Sequence, residues 1–290
     1  MSFNIIVLAK QVPDTRNVGK DAMKADGTVN RAVLPAIFNP EDLNALEQAL
    51  QIKDSYPGTK ITILTMGPGR AAEVIREGLY RGADDGVLLT DRAFAGADTL
   101  ATSYALSMAI RKISDFDIII SGRQAIDGDT AQVGPQVAEK LGIPQVTYAE
   151  TIESIEGRKI QIKRRLENGV ETVSATLPIL ITVNGSAKAC RPRNAKLLQK
   201  YKHAKTITER QIENIDYIDI YSERPYLNLT EWGVADVDAD VALCGLSGSP
   251  TKVKRIENVS FQAKENKRLS DSDDDINELM KELIDNHTIG

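Results

Sequence analysis

The stretch Ser121 to Gly134, "SGRQAIDGDTAQVG", follows an apolar run, Asp117 to Ile120, and leads into a helical pattern. Glycines at such a turn let backbone amides close on a phosphate. The same turn carries Asp127 and Asp129. These carboxylates either cap the coming helix, competing with an anion for its amides, or turn aside and order the loop while amides and the Thr130 hydroxyl face the phosphate. Spacing leaves both open. Lys10, Arg92 and Arg123 lie in comparable turns and suit an anionic ligand, although any one of them alone is better explained as a surface cation.

Other chemistries find less support. No G-x-G-x-x-G follows the first apolar run and no G-x-x-x-x-G-K-[ST] occurs, which disfavours a standard dinucleotide fingerprint and a Walker loop. His203 and His287 stand far apart, no serine sits in G-x-S-x-G, and Cys190 and Cys244 have no His partner at ligand or nucleophile spacing. No metal site is expected. Nucleotide contacts without a catalytic engine suggest a carrier.

The elements that must position these turns are legible from periodicity. Residues 4–10, 60–66, 85–90 and 117–121 are short β-branched runs that read as buried parallel strands. Between them lie helical patterns. Residues 41–55 have an apolar face through Leu43, Leu46 and Leu50, with Asn39 as N-cap, Pro40 in the first helical position, and Glu41 and Asp42 favouring the positive end. Residues 71–81 repeat the pattern through Ala72, Ile75 and Leu79, and residues 99–113 through Leu100, Tyr104, Met108 and Ile110. Residues 130–141 form a fourth helix, closed by Gly142 and followed by Pro144. This alternation predicts an α/β, Rossmann-like, doubly wound and mostly parallel sheet, whose strand-end turns "AKQVPD", "MGPG", "DRAFAGADT" and "GRQAIDGDT" converge on one crevice.

Residues 145–175 alternate polar and apolar side chains around two turn signals, Glu156-Gly157 and Asn168-Gly169, and predict an antiparallel hairpin excursion. "LPILITVN" at 177–184 reads as a further buried strand. Residues 205–270 are mixed and polar. The end of the chain predicts a capped amphipathic helix through Ile276, Leu279, Met280 and Leu283, on an arm suited to docking.

With 36 basic and 41 acidic residues the formal charge of −5 gives no general drive toward nucleic acid or an anionic membrane. The N-terminal apolar run lacks a basic n-region and a cleavage site, and falls far short of the roughly 20 residues that span a bilayer, so no membrane insertion is expected. Two cysteines are too few for a disulfide framework, and a reducing cytoplasm fits best.

At "AKQVPD", "NPEDLNALEQAL", "MGP", "RGAD", "DRAFAGADTLAT" and above all "GRQAIDGDTAQVGPQVAEKLGIPQVT", the chain resembles the β subunit of electron transfer flavoproteins. The resemblance runs from the N-terminus to about residue 200 and is less sharp beyond. It implies a fold related to adenine-nucleotide α-hydrolases and an obligate heterodimer with a larger, FAD-carrying α subunit. The β subunit of that family itself holds AMP or a second FAD. Carried over by motif, the adenine nucleotide meets Ala9, then Asn39, Pro40 and Asp42, then Met66, and then the loop of Arg123, Gln124, Asp127, Gly128, Asp129, Thr130, Ala131, Gln132 and Val133. Phosphates would meet amides of residues 127–133, making the aspartates loop-ordering and capping residues.

"DRAFAGADTLAT" and the segment "VNR…PAIFNPED" at 29–42 resemble the electron-bifurcating and nitrogen-fixation-associated branch. There a β-site FAD, shared with the α subunit, accepts a hydride from NADH. One electron goes to ferredoxin or flavodoxin, the other through the α-subunit FAD toward an acyl-CoA dehydrogenase or quinone reductase. Arg92 would offset the charge of a reduced flavin and Phe94 would pack on a ring. The alternative is a non-bifurcating subunit that holds a structural AMP and serves acyl-CoA dehydrogenases. A partner-docking loop is implied near 190–204, where Leu197 or Leu198 stands among Lys196 and Lys200, with Arg191 and Arg193 departing from the pattern. The implied organisation is a nucleotide domain over 1–204 and an arm over 205–290 that docks on the α subunit.

Overall fold

Strands covered on both faces need continuous apolar runs, and such runs form the centre of this protein. The computed structural model describes residues 1–14, 34–213, 220–251, 268–286 and 288–289. In chain order the elements begin with β1 (Asn4–Leu8), β2 (Gln11–Pro13), β3 (Ala36–Phe38), α1 (Pro40–Ser55), β4 (Lys60–Met66), α2 (Ala72–Arg81) and β5 (Asp85–Leu89). They continue with α3 (Thr99–Ile113), β6 (Ile118–Gly122), α4 (Val133–Leu141), β7 (Gln145–Glu156), β8 (Lys159–Leu166), β9 (Gly169–Thr176) and β10 (Ile179–Val183). The last are α5 (Ala195–Tyr201), α6 (Ile207–Ile212), α7 (Ile220–Glu223), β11 (Thr230–Trp232) and α8 (Asp273–Asp285).

One nine-stranded sheet runs β11-β5-β4-β1-β6-β10-β7-β8-β9. All neighbours from β11 to β7 are parallel, while β8 and β9 are antiparallel. This is the Rossmann-like, doubly wound sheet expected, with the hairpin excursion at one end. Strand order leaves β1 toward β4 and β5 and then returns to β6 on the other side. The switch point therefore lies between β1 and β6, where ligands of such sheets bind.

Alternation along each strand divides the core. Ile5, Val7, Ile61, Ile63, Ile118 and Ile120 pack with α1 and α2 on one face; Ile6, Leu8, Leu64, Ile119 and Leu180 pack with α3 and α4 on the other. Leu46 and Leu50 are buried as the periodicity requires. The face expected on α3 is displaced. Leu100 is 40% exposed, and the buried stripe is Ala101, Ala105 and Ala109 with Leu106 and Ile110. Ala105, Leu106, Ala109 and Ile110 share one core cluster with Ile6 and Leu64, so position on the helix outweighs side-chain size here.

Three further expectations shift. The fourth helix begins at Val133, not near Thr130, although it closes at Gly142 with φ +67° as expected. Pairing of Glu156 with Lys159 and of Leu166 with Gly169 leaves Gly157-Arg158 and Glu167-Asn168 at the hairpin tips, each one residue from the turn signals. β11, not foreseen, lies parallel to β5. The chain divides into units Met1–Lys254 and Arg255–Gly290, so β11 and its flanks belong with the nucleotide-type sheet. As a separate unit, the arm expected from residue 205 begins only at Arg255. Its residues 214–219 and 252–267 lie outside the described residues, as does "VNR" at 29–31. Within the second unit, Ser272 caps α8 by accepting from the Asp275 amide at 3.3 Å, and Ile276, Met280 and Ile284 are exposed. Among the described residues no helix is long and apolar enough to cross a membrane.

Candidate functional site

The first turn of α1 faces the switch point and spends its side chains on backbone. Asp42 is buried; its Oδ2 accepts from the Lys10 amide at 2.8 Å and its Oδ1 from the Gly122 amide at 3.0 Å, tying the ends of β1 and β6 together. Burial pushes its carboxyl up to about 7, against the stabilising N–H groups of Lys10 and Gly122. Glu41 Oε2 accepts from the Gln124 amide at 2.9 Å, and its Oε1 pairs with Arg123 at 3.2 Å. Asn39 donates from Nδ2 to the Gln124 carbonyl at 2.9 Å and accepts from the Ile126 amide at 3.2 Å. It occupies the N-cap position without capping α1. Sequence reasoning gave Glu41 only a dipole role. The acidic pair immediately after Asn39-Pro40 was the available signal.

Beyond Ile126 the loop turns sharply. The amides of Gly128 and Asp129 both donate to the Ala125 carbonyl, at 3.2 Å and 2.9 Å. Asp127 receives two hydrogen bonds from Lys10 Nζ, at 2.7 Å and 2.8 Å, while Asp129 Oδ1 accepts from Gln124 Nε2 at 2.8 Å. Both aspartates therefore order the loop. Neither caps α4, whose N-cap position is Gln132 without a side-chain cap. Asp129 and Ala131 adopt φ of +50° and +52°, a region costly for residues with a Cβ.

These left-handed residues turn the amides of Thr130, Ala131, Gln132 and Val133 away from protein acceptors: none of the four donates to a group among the described residues. Part of the expected 127–133 cluster is thus committed internally, and 130–133 remains for an anion at the positive end of α4. Gly134 seats that helix directly on the sheet, since a Cβ there would lie 2.7 Å from Thr182 Cγ2 and 3.1 Å from Ser121 Oγ. Ser121, which opens the quoted stretch but was given no role from sequence, keeps a buried hydroxyl with no hydrogen-bond partner among the described residues. An uncapped helix end, free amides and an orphaned hydroxyl fit a nucleotide's phosphates.

Ala9 is buried and Met66 half-buried at the ends of β1 and β4. The loop after β5 is held from below. Asp91 accepts from the Ala93 and Val234 amides, which keep its carboxyl below the usual range. Asp98 accepts from Thr251 through both amide and hydroxyl, and the Asp98 amide donates to Ser249 Oγ at 2.8 Å. Arg92 is exposed and forms no ion pair among the described residues. Phe94, expected to pack on a ligand ring, is 6% exposed and belongs to the core with Leu8 and Leu106.

Near the expected docking loop, Arg191 pairs with Glu47 at 3.0 Å and Asp54 at 2.8 Å, and Arg193 with Glu77 at 2.5 Å. The two arginines that depart from the expected pattern thus serve α1 and α2. Leu197 packs against the core, whereas Leu198 is 37% exposed. Lys200 Nζ lies over the rings of Tyr201 and Tyr226 at 4.6 Å and 4.9 Å. The structure therefore leaves Leu198, not Leu197, as an exposed apolar group beside Lys196.

A doubly wound sheet with free amides at its switch point is the architecture of nucleotide-binding α/β proteins. The Electron transfer flavoprotein domain matches residues 26–211. The chain is 47% identical over 260 residues to the electron transfer flavoprotein subunit beta of Megasphaera elsdenii, covering 88% of this chain and 87% of that protein. It is 43% identical over 253 residues to the caffeyl-CoA reductase-Etf complex subunit CarD of Acetobacterium woodii, covering 87% of each. Protein FixA of Azorhizobium caulinodans is 40% identical over 261 residues, covering 88% of this chain and 84% of that protein. The chain belongs to the electron transfer flavoprotein family, on its β-subunit side, and so to proteins of electron transfer associated with flavin or nucleotide.

Proposed function

We propose that this chain works in a heterodimer with an FAD-carrying α subunit and holds a second FAD, shared with that subunit, at the crevice between β1 and β6. On this reading NADH is the electron donor, ferredoxin or flavodoxin receives one electron, and an acyl-CoA dehydrogenase or quinone reductase receives the other through the α-subunit FAD. The observation that carries nucleotide binding is the set of four acceptorless amides at 130–133, turned outward by Asp129 and Ala131. The reductase complex in CarD's name supports an acyl-CoA-type partner, and kinship with FixA supports the bifurcating branch.

A bound FAD accepts a hydride's electron pair and releases electrons singly. The residues here supply everything around that chemistry. Amides of 130–133 bind the pyrophosphate, Lys10 draws the Asp127 charge aside, and Arg92 offers an exposed cation at the end of β5. Leu198, with Lys196 and Lys200, forms the docking surface for an acidic partner, and the arm ending in α8 docks on the α subunit. The cytoplasm is the proposed compartment.

Burial of Phe94 favours a second reading, because it removes one ring contact expected of a flavin. In that reading the site holds only AMP, and acyl-CoA dehydrogenases supply electrons to the α-subunit FAD. Denaturing the purified heterodimer and counting released nucleotide separates the two. Two FAD and no AMP per heterodimer is the expected result; one FAD and one AMP would make this chain a structural nucleotide holder.

A further inference from the structure

We propose that Asn39, Glu41 and Asp42 are positioning residues: the first turn of α1 clamps the backbone from Gly122 to Ile126 onto the end of β1, setting the 130–133 amides before any ligand arrives. This rests on the reading of those amides as the phosphate seat, and it moves Asn39 and Asp42 from ligand contact to scaffold.

The hydrogen bonds leave little room for the contact role. Glu41 carries a carboxylate that would repel a phosphate at short range, and Asp42 is buried. Their four oxygens are instead occupied by the amides of Lys10, Gly122 and Gln124 and by the Arg123 guanidinium. Asn39 uses both ends of its amide on the same loop, and its own backbone N–H donates to the Lys10 carbonyl at 3.0 Å. The clamp also dictates the residue opposite it. A Cβ at position 122 would sit 2.5 Å from Asp42 Oδ1 and 2.7 Å from the Glu41 carbonyl carbon, so only glycine admits the helix this closely.

The clamp is connected to the amides. No regular secondary structure links β6 to α4. Order passes from the clamped residues to the Ala125 carbonyl, which takes the amides of Gly128 and Asp129, and to Gln124, whose side chain holds Asp129 in its left-handed conformation. An unclamped loop populates the competent arrangement less often, and the apparent affinity falls by that fraction.

The test uses the full-length heterodimer carrying Asp42→Asn or Asn39→Asp, both isosteric, with AMP and FAD as probes. In the nucleotide-stripped protein, amide hydrogen exchange at Lys10 and Gly122, the two amides that Asp42 accepts, is expected to quicken in Asp42→Asn. Affinity should drop roughly tenfold, about the loss of one or two hydrogen bonds, with the fall in the association rate and the dissociation rate unchanged. Asn39→Asp keeps the acceptor for Ile126 and loses the donor to Gln124, so its effect should be smaller and centred on Gln124 to Ile126; it serves if Asp42→Asn does not assemble. Faster dissociation with unchanged association would mean that these side chains touch the ligand, and unchanged exchange at 122–126 would mean that no clamp exists. Either overturns the proposal. In the wild-type protein bound nucleotide should slow exchange at 130–133. If it protects a different segment, the phosphate seat itself is wrong, a failure visible without any variant, and the clamp falls with it.

Discussion

Ala131 holds φ +52° with an ordinary Cβ, at a cost of about 1–2 kcal/mol relative to the right-handed region. Such local strain is retained where it aims something, here the amides beside α4. A β-branched side chain tolerates the conformation less well. Ala131→Val is therefore expected to lower nucleotide affinity about tenfold, with a smaller loss of stability, measured by titration of the stripped heterodimer alongside urea unfolding. Asp42 predicts a pH dependence of stability. Burial raises its carboxyl from 3.8 to about 7, so the folded protein holds this proton more tightly than the unfolded chain. Its contribution is complete below 3.8 and is lost as pH rises through about 7. Asp42→Asn cannot ionise, and urea unfolding across that interval should show a flatter fall in stability than wild type; an equal slope in both would remove Asp42 as the source.

α1 illustrates how one helix serves both stability and site. Its first turn holds the loop after β6, and farther along Glu47, 2% exposed, takes Arg191 through amide and guanidinium. Because Arg191 and Arg193 are occupied in this way, the free cations near α5 are the lysines. Reversing charge at Lys196 and Lys200 together should raise the KM for an acyl-CoA dehydrogenase severalfold at low salt, with the difference shrinking as salt screens it; a salt-independent, unchanged KM would move docking elsewhere. Central strands and helices were legible because buried parallel strands and amphipathic helices leave strong periodic patterns. β11 was not, since three residues carry no period. The face of α3 was misjudged because Leu100 is large, while small residues, Ala101, Ala105 and Ala109, take the buried positions. In the site, the glycine and aspartate loop was visible, yet the roles of Asp127 and Asp129 depended on Lys10 and Gln124, partners that no local spacing reveals.

At the scale of the whole chain, the two units make different claims on truncation. A chain ending at Lys254 keeps the complete sheet and should retain nucleotide while losing affinity for the α subunit, measured by co-purification. One ending at Asn228 lacks β11, uncovers the edge of β5 and should aggregate. The sheet order also bears on biosynthesis. β10 lies between β6 and β7, although it leaves the ribosome after β7, β8 and β9. Until Ile179–Val183 has been synthesised, the meander of β7 to β9 and the block of β5, β4, β1 and β6 are two separate nascent pieces, and one late strand, fully buried, joins them.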